Sequence, residues 1–210
     1  AEGDAAAGLG PKLAATAAAE LMRLETLAAE RHAAAAGGAW ARLTAARAAL
    51  ADLDPARVEA ARIALEADAR EAPGEPLILA TLGLTHFADG REGWVEDPRG
   101  AFFRARELAL RAHRRAPDDP FAQHVLGLAA AAMGDPDGAR LHQLRVLARH
   151  PGWPAAEGEM ARLAALWGDV PEADARAARA LETAPDDPAG PCWAVAPALA
   201  RFARGDAAGA

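Results

Sequence analysis

Residues 117–184 read PDDPFAQHVLGLAAAAMGDPDGARLHQLRVLARH and then PGWPAAEGEMARLAALWGDVPEADARAARALETA, before PDDP opens again at Pro185. The two lines carry the same punctuation 34 residues apart: Pro117, Pro151 and Pro185, and likewise Pro120, Pro154 and Pro188. Gly134-Asp135 returns as Gly168-Asp169, Ala139 as Ala173, and Leu147 as Leu181. A period of this length without strand signals marks a helix–turn–helix repeat. One such unit cannot bury its apolar faces alone, so its neighbours must complete the core. Val, Ile and Thr together number only 14, too few for a sheet of any size. Ala, Leu, Arg and Glu dominate, and all are strong helix formers. The expected fold is all-α.

Composition narrows the function classes. Ala supplies most of the 52% hydrophobic content, which suits a thin core between closely packed helix pairs. The net charge of −7 argues against a nucleic-acid partner, which needs a concentrated basic face. Basic charge is almost all Arg, with Lys12 the only lysine. Ser, Asn and Tyr are absent, which removes Ser–His–Asp chemistry and N-glycosylation and leaves Asp as the main helix cap. Cys192 is alone, so no internal disulfide forms and redox does not fix the compartment. The cytoplasm is favoured over the periplasm, and neither is established. No uncharged apolar run reaches the ~18 residues of a membrane span, and no signal peptide is visible. The chain starts at Ala1 rather than Met, which reads as processing or excision from something longer.

Taken in order, residues 1–10 are small and Gly-rich and read as a disordered lead-in. Residues 11–75 read as N-terminal helices packing on the array, over about 11–36, 39–53 and from Pro55 to before Pro73. Residues 76–187 hold three repeats, and 188–210 an incomplete fourth. Asp-Pro recurs at Asp54-Pro55, Asp97-Pro98, Asp119-Pro120, Asp135-Pro136 and Asp187-Pro188, where helices should start. Asp accepts the free N–H groups of the first turn, and Pro suits a position that needs none. The first repeat is ten residues longer than the period, Pro73 to Pro117 being 44. Its first helix is expected to stop near Gly90, with an insertion at 91–100, part of which lengthens the following helix by a turn. In the fourth repeat a single first helix should carry Trp193, Val195, Leu199 and Phe202.

These positions resemble the tetratricopeptide repeat (TPR). Leu126-Gly127, Gly134-Asp135, Ala139 and Pro151 fall where that family has its Leu-Gly, turn Gly-Asp, small Ala and terminal Pro. Ala164, Gly168-Asp169, Ala173, Ala180 and Pro185 do so in the next unit. Gln123 and Glu157 stand where Trp is usual. The resemblance implies a right-handed superhelical solenoid of antiparallel helix pairs. A narrower likeness lies in Arg91-Glu92-Gly93-Trp94-Val95-Glu96-Asp97-Pro98, the helix around Ala105 to Ala112, and Ala116-Pro117-Asp118-Asp119-Pro120. This is similar to the TPR region that follows bacterial class III adenylate/guanylate cyclase, TolB-like and winged-helix regulator domains. It implies a regulatory or interaction module with no active site of its own, no cofactor and no metal.

In a TPR array the first helices of successive repeats line the concave face. By motif position these supply Leu84 and Phe87, then Phe121, His124 and Leu128, then Arg162 and Leu166. Such a groove suits a protein or peptide segment with hydrophobic anchors and an acidic group. The competing occupant is the N-terminal helix or further repeats of an intact protein. Trp94, in the insertion, either folds back to plug the groove or stands exposed for a partner. Trp40, Trp153, Trp167 and Trp193 read as packing residues at helix junctions. None of the six His forms a metal-ligand spacing with another. A self-associating adaptor, joined through its solenoid ends, is the alternative within the same class. An enzyme using His124, Arg162 and a carboxylate is the alternative outside it.

Overall fold

The computed structural model describes residues 39–187 and 189–206, with side-chain surroundings given from residue 41. The expected first helix, over 11–36, lies outside the described residues. All regular structure within them is helical. The helices are α1 (Ala39–Asp52), α2 (Pro55–Glu71), α3 (Pro76–Glu92), α4 (Pro98–Arg115) and α5 (Pro120–Ala132). They continue with α6 (Pro136–Arg149), α7 (Pro154–Leu166), α8 (Val170–Thr183), α9 (Gly190–Ala194) and α10 (Ala196–Ala203). Contacts divide the chain into two compact units, and the division falls inside α6, between His142 and Gln143.

Helix starts follow the Asp chemistry. Asp54 accepts from the N–H groups of Ala56 and Arg57 at 3.0 and 3.1 Å, and Asp119 from Phe121 at 3.0 Å. Asp97 and Asp135 each accept from the N–H three residues on, at 2.9 Å, and Asp169 does so at 3.2 Å. Helix ends use glycine: Gly134, Gly168 and Gly205 have φ of 82°, 66° and 80°, which a side chain would strain.

In the unit ending at His142, consecutive helices pack in sequence, α1 on α2, α2 on α3, α3 on α4 and α4 on α5. The extra ten residues of the first repeat are accounted for element by element. Helix α3 has 17 residues against 13 in α5, and α4 has 18 against 14 in α6. The connecting loop supplies the other two. Each helix therefore gains one turn at the same end, about 6 Å of length, and the pair stays antiparallel and in phase. Gly90 does not stop α3. It lies buried inside the added turn, where a Cβ would come within 2.7 Å of the Phe102 ring and 2.9 Å of the Pro98 carbonyl. The stop is Gly93, at φ 71°.

In the unit from Gln143 onward, α7 and α8 form one pair, and α10 packs on both. Ala161, Ala164, Ala165, Ala173, Ala177, Ala196 and Ala200 make a core of methyl groups, with Val170 against it. The expected single helix of the fourth repeat is two. Pro197 has no N–H to offer the Trp193 carbonyl and its ring crowds that turn, so the helix breaks at Val195. Asp187 does not cap it either. Its Oδ1 accepts from Ala189 N–H at 2.8 Å, and α9 begins at Gly190. Burial pushes the Asp187 carboxyl pKa up, against a smaller lowering by that hydrogen bond.

Candidate docking site

Inter-helix positions that repeat every 34 residues carry three kinds of chemistry. The position of Gln123 on α5 recurs as Glu157 on α7, and that of His142 on α6 recurs as Arg176 on α8. Gln123 Nε2 lies 2.8 Å from His142 Nδ1. Arg176 donates to Glu157 at 2.9 Å and to Glu172 at 3.1 Å, and Arg179 reaches Glu157 at 3.3 Å. Burial pulls the Arg176 pKa down, but its bonds and charge contacts with Glu157 and Glu172 outweigh that and raise it overall. In the first repeat, allowing for the ten extra residues, the equivalent positions hold Leu79 and Leu108, each 1% exposed. The place where the TPR pattern has Trp is thus filled by an inter-helix polar or ionic pair in two repeats.

The groove residues on α3 and α5 are mostly packed. Phe87 is buried with Ala105 and Ala129, and Leu84, Phe102 and Leu128 pack against that cluster. The rings of Phe87 and Phe102 are 5.9 Å apart and tilted. Phe121 is buried, with the Arg47 guanidinium of α1 over its ring at 5.0 Å. His124 is buried as well, and Leu84 and Leu128 keep partial exposure. The structure therefore brings Leu84, Phe87 and Leu128 together, as part of a core. Helix α1 contributes the group that covers Phe121. Trp94 is half-buried.

Next to this cluster the added turn of α3 carries a polar site that the sequence reading missed. Asp89, the first residue of that turn, is buried and accepts from Arg62 of α2 at 2.9 Å. Burial raises its pKa, Arg62 opposes this, and Glu59 adds to it. His86 Nδ1 is 4.0 Å from the same carboxylate. Burial, with Arg62 and Arg104 nearby, lowers the His86 pKa to about 4, so the ring is neutral at pH 7. Arg42 likewise forks onto the buried Asp68, from α1 to α2, with one bond at 2.8 Å. The signal for these pairs was available only as charged residues standing on otherwise apolar faces.

In the other unit, Arg162 and Leu166 of α7 are both exposed. Arg162 is held by Glu159 of its own helix through bonds of 2.9 and 2.6 Å. That carboxylate raises the guanidinium pKa, against a smaller lowering by burial. Large apolar side chains stand open here: Leu166 58%, Trp167 47%, Val195 51%, Leu199 51% and Phe202 70% exposed. Trp167 therefore does not serve as the buried junction residue expected of it. Trp193 does, 7% exposed and lying against the backbone of Gly158. Trp153 is half-buried, edge-on to His150 at 6.2 Å, and the side chain of Trp40 lies outside the described set. Cys192 is exposed. Among the described residues no group of three or more His, Cys, Asp or Glu is placed to hold a metal, and no helix is long and apolar enough to cross a membrane.

No protein family and no curated protein matches the chain by sequence. Its fold does match solved structures. A thermophilic TPR protein of Thermus thermophilus superposes with a TM-score of 0.64, over 92% of this chain and 98% of that one, at 22% identity. The chain therefore has a TPR-like, all-α fold of consecutive antiparallel helix pairs.

Proposed function

We propose that this chain is a non-catalytic TPR-type interaction module that docks a protein or peptide segment through apolar anchors. The observation that carries the reading is the exposed apolar surface of the unit from Gln143 onward, around Leu166, Trp167, Leu199 and Phe202. Several large apolar side chains of one small unit standing about half exposed or more suit an interaction surface. Arg162 beside Leu166 on α7 favours a segment that also carries an acidic group. In the other unit the candidate contacts that keep partial exposure are Leu84 and Leu128, with Trp94 a further one. Nucleic acid and membrane insertion have no part in the reading.

The test is selection of binding peptides from a random library on the intact chain, followed by titration against Leu166→Asp and Phe202→Asp. The reading expects selected peptides to carry apolar anchors and to lose binding to both variants. Peptides that bind both variants unchanged would sink it.

The finer reading places the module in a bacterial signalling protein of the cyclase, TolB-like or winged-helix regulator type, on the Gly93-Trp94 to Asp97-Pro98 likeness. An immunoblot of source cells tests it. A band well above 21.7 kDa supports a regulator, and a band at that mass opposes it. A self-associating adaptor is the second reading, favoured by Val195, Leu199 and Phe202 standing open at four- and three-residue spacing. Light scattering on the wild type and on Phe202→Asp decides it: a dimer that the substitution splits supports it, and a monomeric wild type removes it.

A further inference from the structure

Many of the described arginines meet a carboxylate of the chain. Arg42, Arg57, Arg62, Arg104, Arg162, Arg176 and Arg201 each meet an Asp or Glu. The C-terminal part of α4 carries three that do not. Arg111, Arg114 and Arg115 line one open cleft of about 420 Å³, together with Pro73 and Leu79. None of the three has a carboxylate partner among the described residues. The negative end of the α4 dipole explains why cations are favoured at this helix end. It does not explain why they converge on a cleft rather than spread into water.

Two of the three lie against the α2–α3 link. Arg111 donates through Nη2 to the Pro73 carbonyl at 3.2 Å. The Arg115 guanidinium lies over Gly74, its Cζ 3.4 Å from where a Cβ would stand. Arg114 is exposed at the same helix end. Arg111 is thus anchored by one bond, and most N–H groups of the three make no bond to the described residues. They gather three positive charges at one cleft of a chain whose net charge is −7. A cleft of this size lies in the range of small-molecule sites.

We propose that the cleft formed by Arg111, Arg114, Arg115, Pro73 and Leu79 is a binding site for a small polyanion. Its ligand carries at least two phosphate or carboxylate groups, whose paired oxygens accept parallel N–H bonds from the guanidinium forks. The site is separate from the docking surface and does not depend on it. A ligand bound there ties the end of α4 to the α2–α3 link, so it also raises the melting temperature.

Calorimetric titration of the intact chain at low ionic strength tests this, with pyrophosphate as the phosphate probe and citrate as the carboxylate probe. The expected result is saturable binding of one of them with one site per chain. Arg111→Ala and Arg114→Ala should each weaken it about tenfold or more, the size of a lost charge-assisted bond. Arg99→Ala, about 18 Å from Arg111 on the same helix, should leave it within about twofold. Arg114 is exposed, so its variant should fold, and unchanged far-UV dichroism verifies that. Tighter binding of pyrophosphate assigns a phosphorylated ligand, and tighter binding of citrate a polycarboxylate. Failure of both probes to saturate overturns the proposal. So does equal weakening in Arg99→Ala, which would mean diffuse attraction without a site.

Discussion

Glu157 and Arg176 join α7 to α8 at the positions that Leu79 and Leu108 occupy in the longer first repeat. The carboxylate of Glu157 is 6% exposed, Arg176 is 19% exposed, and Arg179 is 46% exposed. Replacing Arg176 alone by Leu strips the buried carboxylate of its better partner. Removing one member of a buried pair costs about 3–5 kcal/mol. Arg179 stays within reach, and a largely exposed partner restores up to ~1 kcal/mol. The single variant should therefore lose about 2–4 kcal/mol. Glu157→Leu with Arg176→Leu is a different case. It removes both charges and installs the apolar pair that the first repeat already uses, so it should lie within ~1 kcal/mol of wild type. Glu172 and Arg179 are left without Arg176 and Glu157, but both reach water. The assay is urea unfolding of wild type, both singles and the double at pH 7, read as midpoints at constant slope. The reasoning requires a coupling energy of about 2 kcal/mol or more. A double variant as unstable as Arg176→Leu would refute it, because the loss would then come from packing volume and not from a stranded charge.

Three further outcomes follow from the same geometry. Gly158→Ala drives a Cβ into the Trp193 indole, so the ring must leave its seat; a loss of about 1–3 kcal/mol and a shifted tryptophan emission are expected, and an unchanged spectrum would contradict the packing. Ala173→Glu drives a carboxylate into the alanine core where Ala173 is 0% exposed, and should lower the melting temperature steeply; an unchanged melt would mean that this helix face is wrongly placed. His86 has a folded pKa of about 4 against 6.5 unfolded, so the unfolded chain binds the extra proton, and stability falls as pH drops from about 6.5 to 4. The shift amounts to about 3 kcal/mol at most, and His86→Leu should flatten that part of the stability–pH curve; equal slopes in the two proteins would oppose it.

Helix starts and inter-repeat spacing were legible because each is set locally. An Asp before a Pro favours a helix start, and α2, α4, α5 and α6 begin at such pairs, though the helix after Asp187 does not. Residue 197 carries the same information, and reading its Pro as a breaker would have split the last helix in advance. Gly90 shows the opposite limit. A glycine that ends a helix and one that lets two helices touch look alike in sequence, and only the Phe102 ring against its backbone tells them apart. The candidate groove was legible as a set of helix positions, not as an open surface. Whether Phe121 meets a partner or the guanidinium of Arg47 depends on where α1 packs, and no spacing inside the repeats encodes that. The arginine cleft escaped notice for a related reason. Pro73 and Arg111 are 38 residues apart, and their meeting is a property of the α2–α3 link folding under α4.

The added turns of α3 and α4 show how such a repeat can change size without changing its neighbours. Four residues on each side of the loop rotate the chain by little more than one full circle, so every side chain nearer the repeat interfaces keeps its azimuth. One or two residues placed there would instead have swung the core faces of α3 and α4 out of alignment by about 100° each. The hairpin tip is thus a place that accepts added length in whole turns. Asp89 arrives with the new turn and is moored at once to Arg62 on the preceding helix. Excising residues 89–92 and 98–101 with two loop residues should return a repeat of ordinary length. Excising any smaller number from one side alone should cost the pairing of α3 with α4.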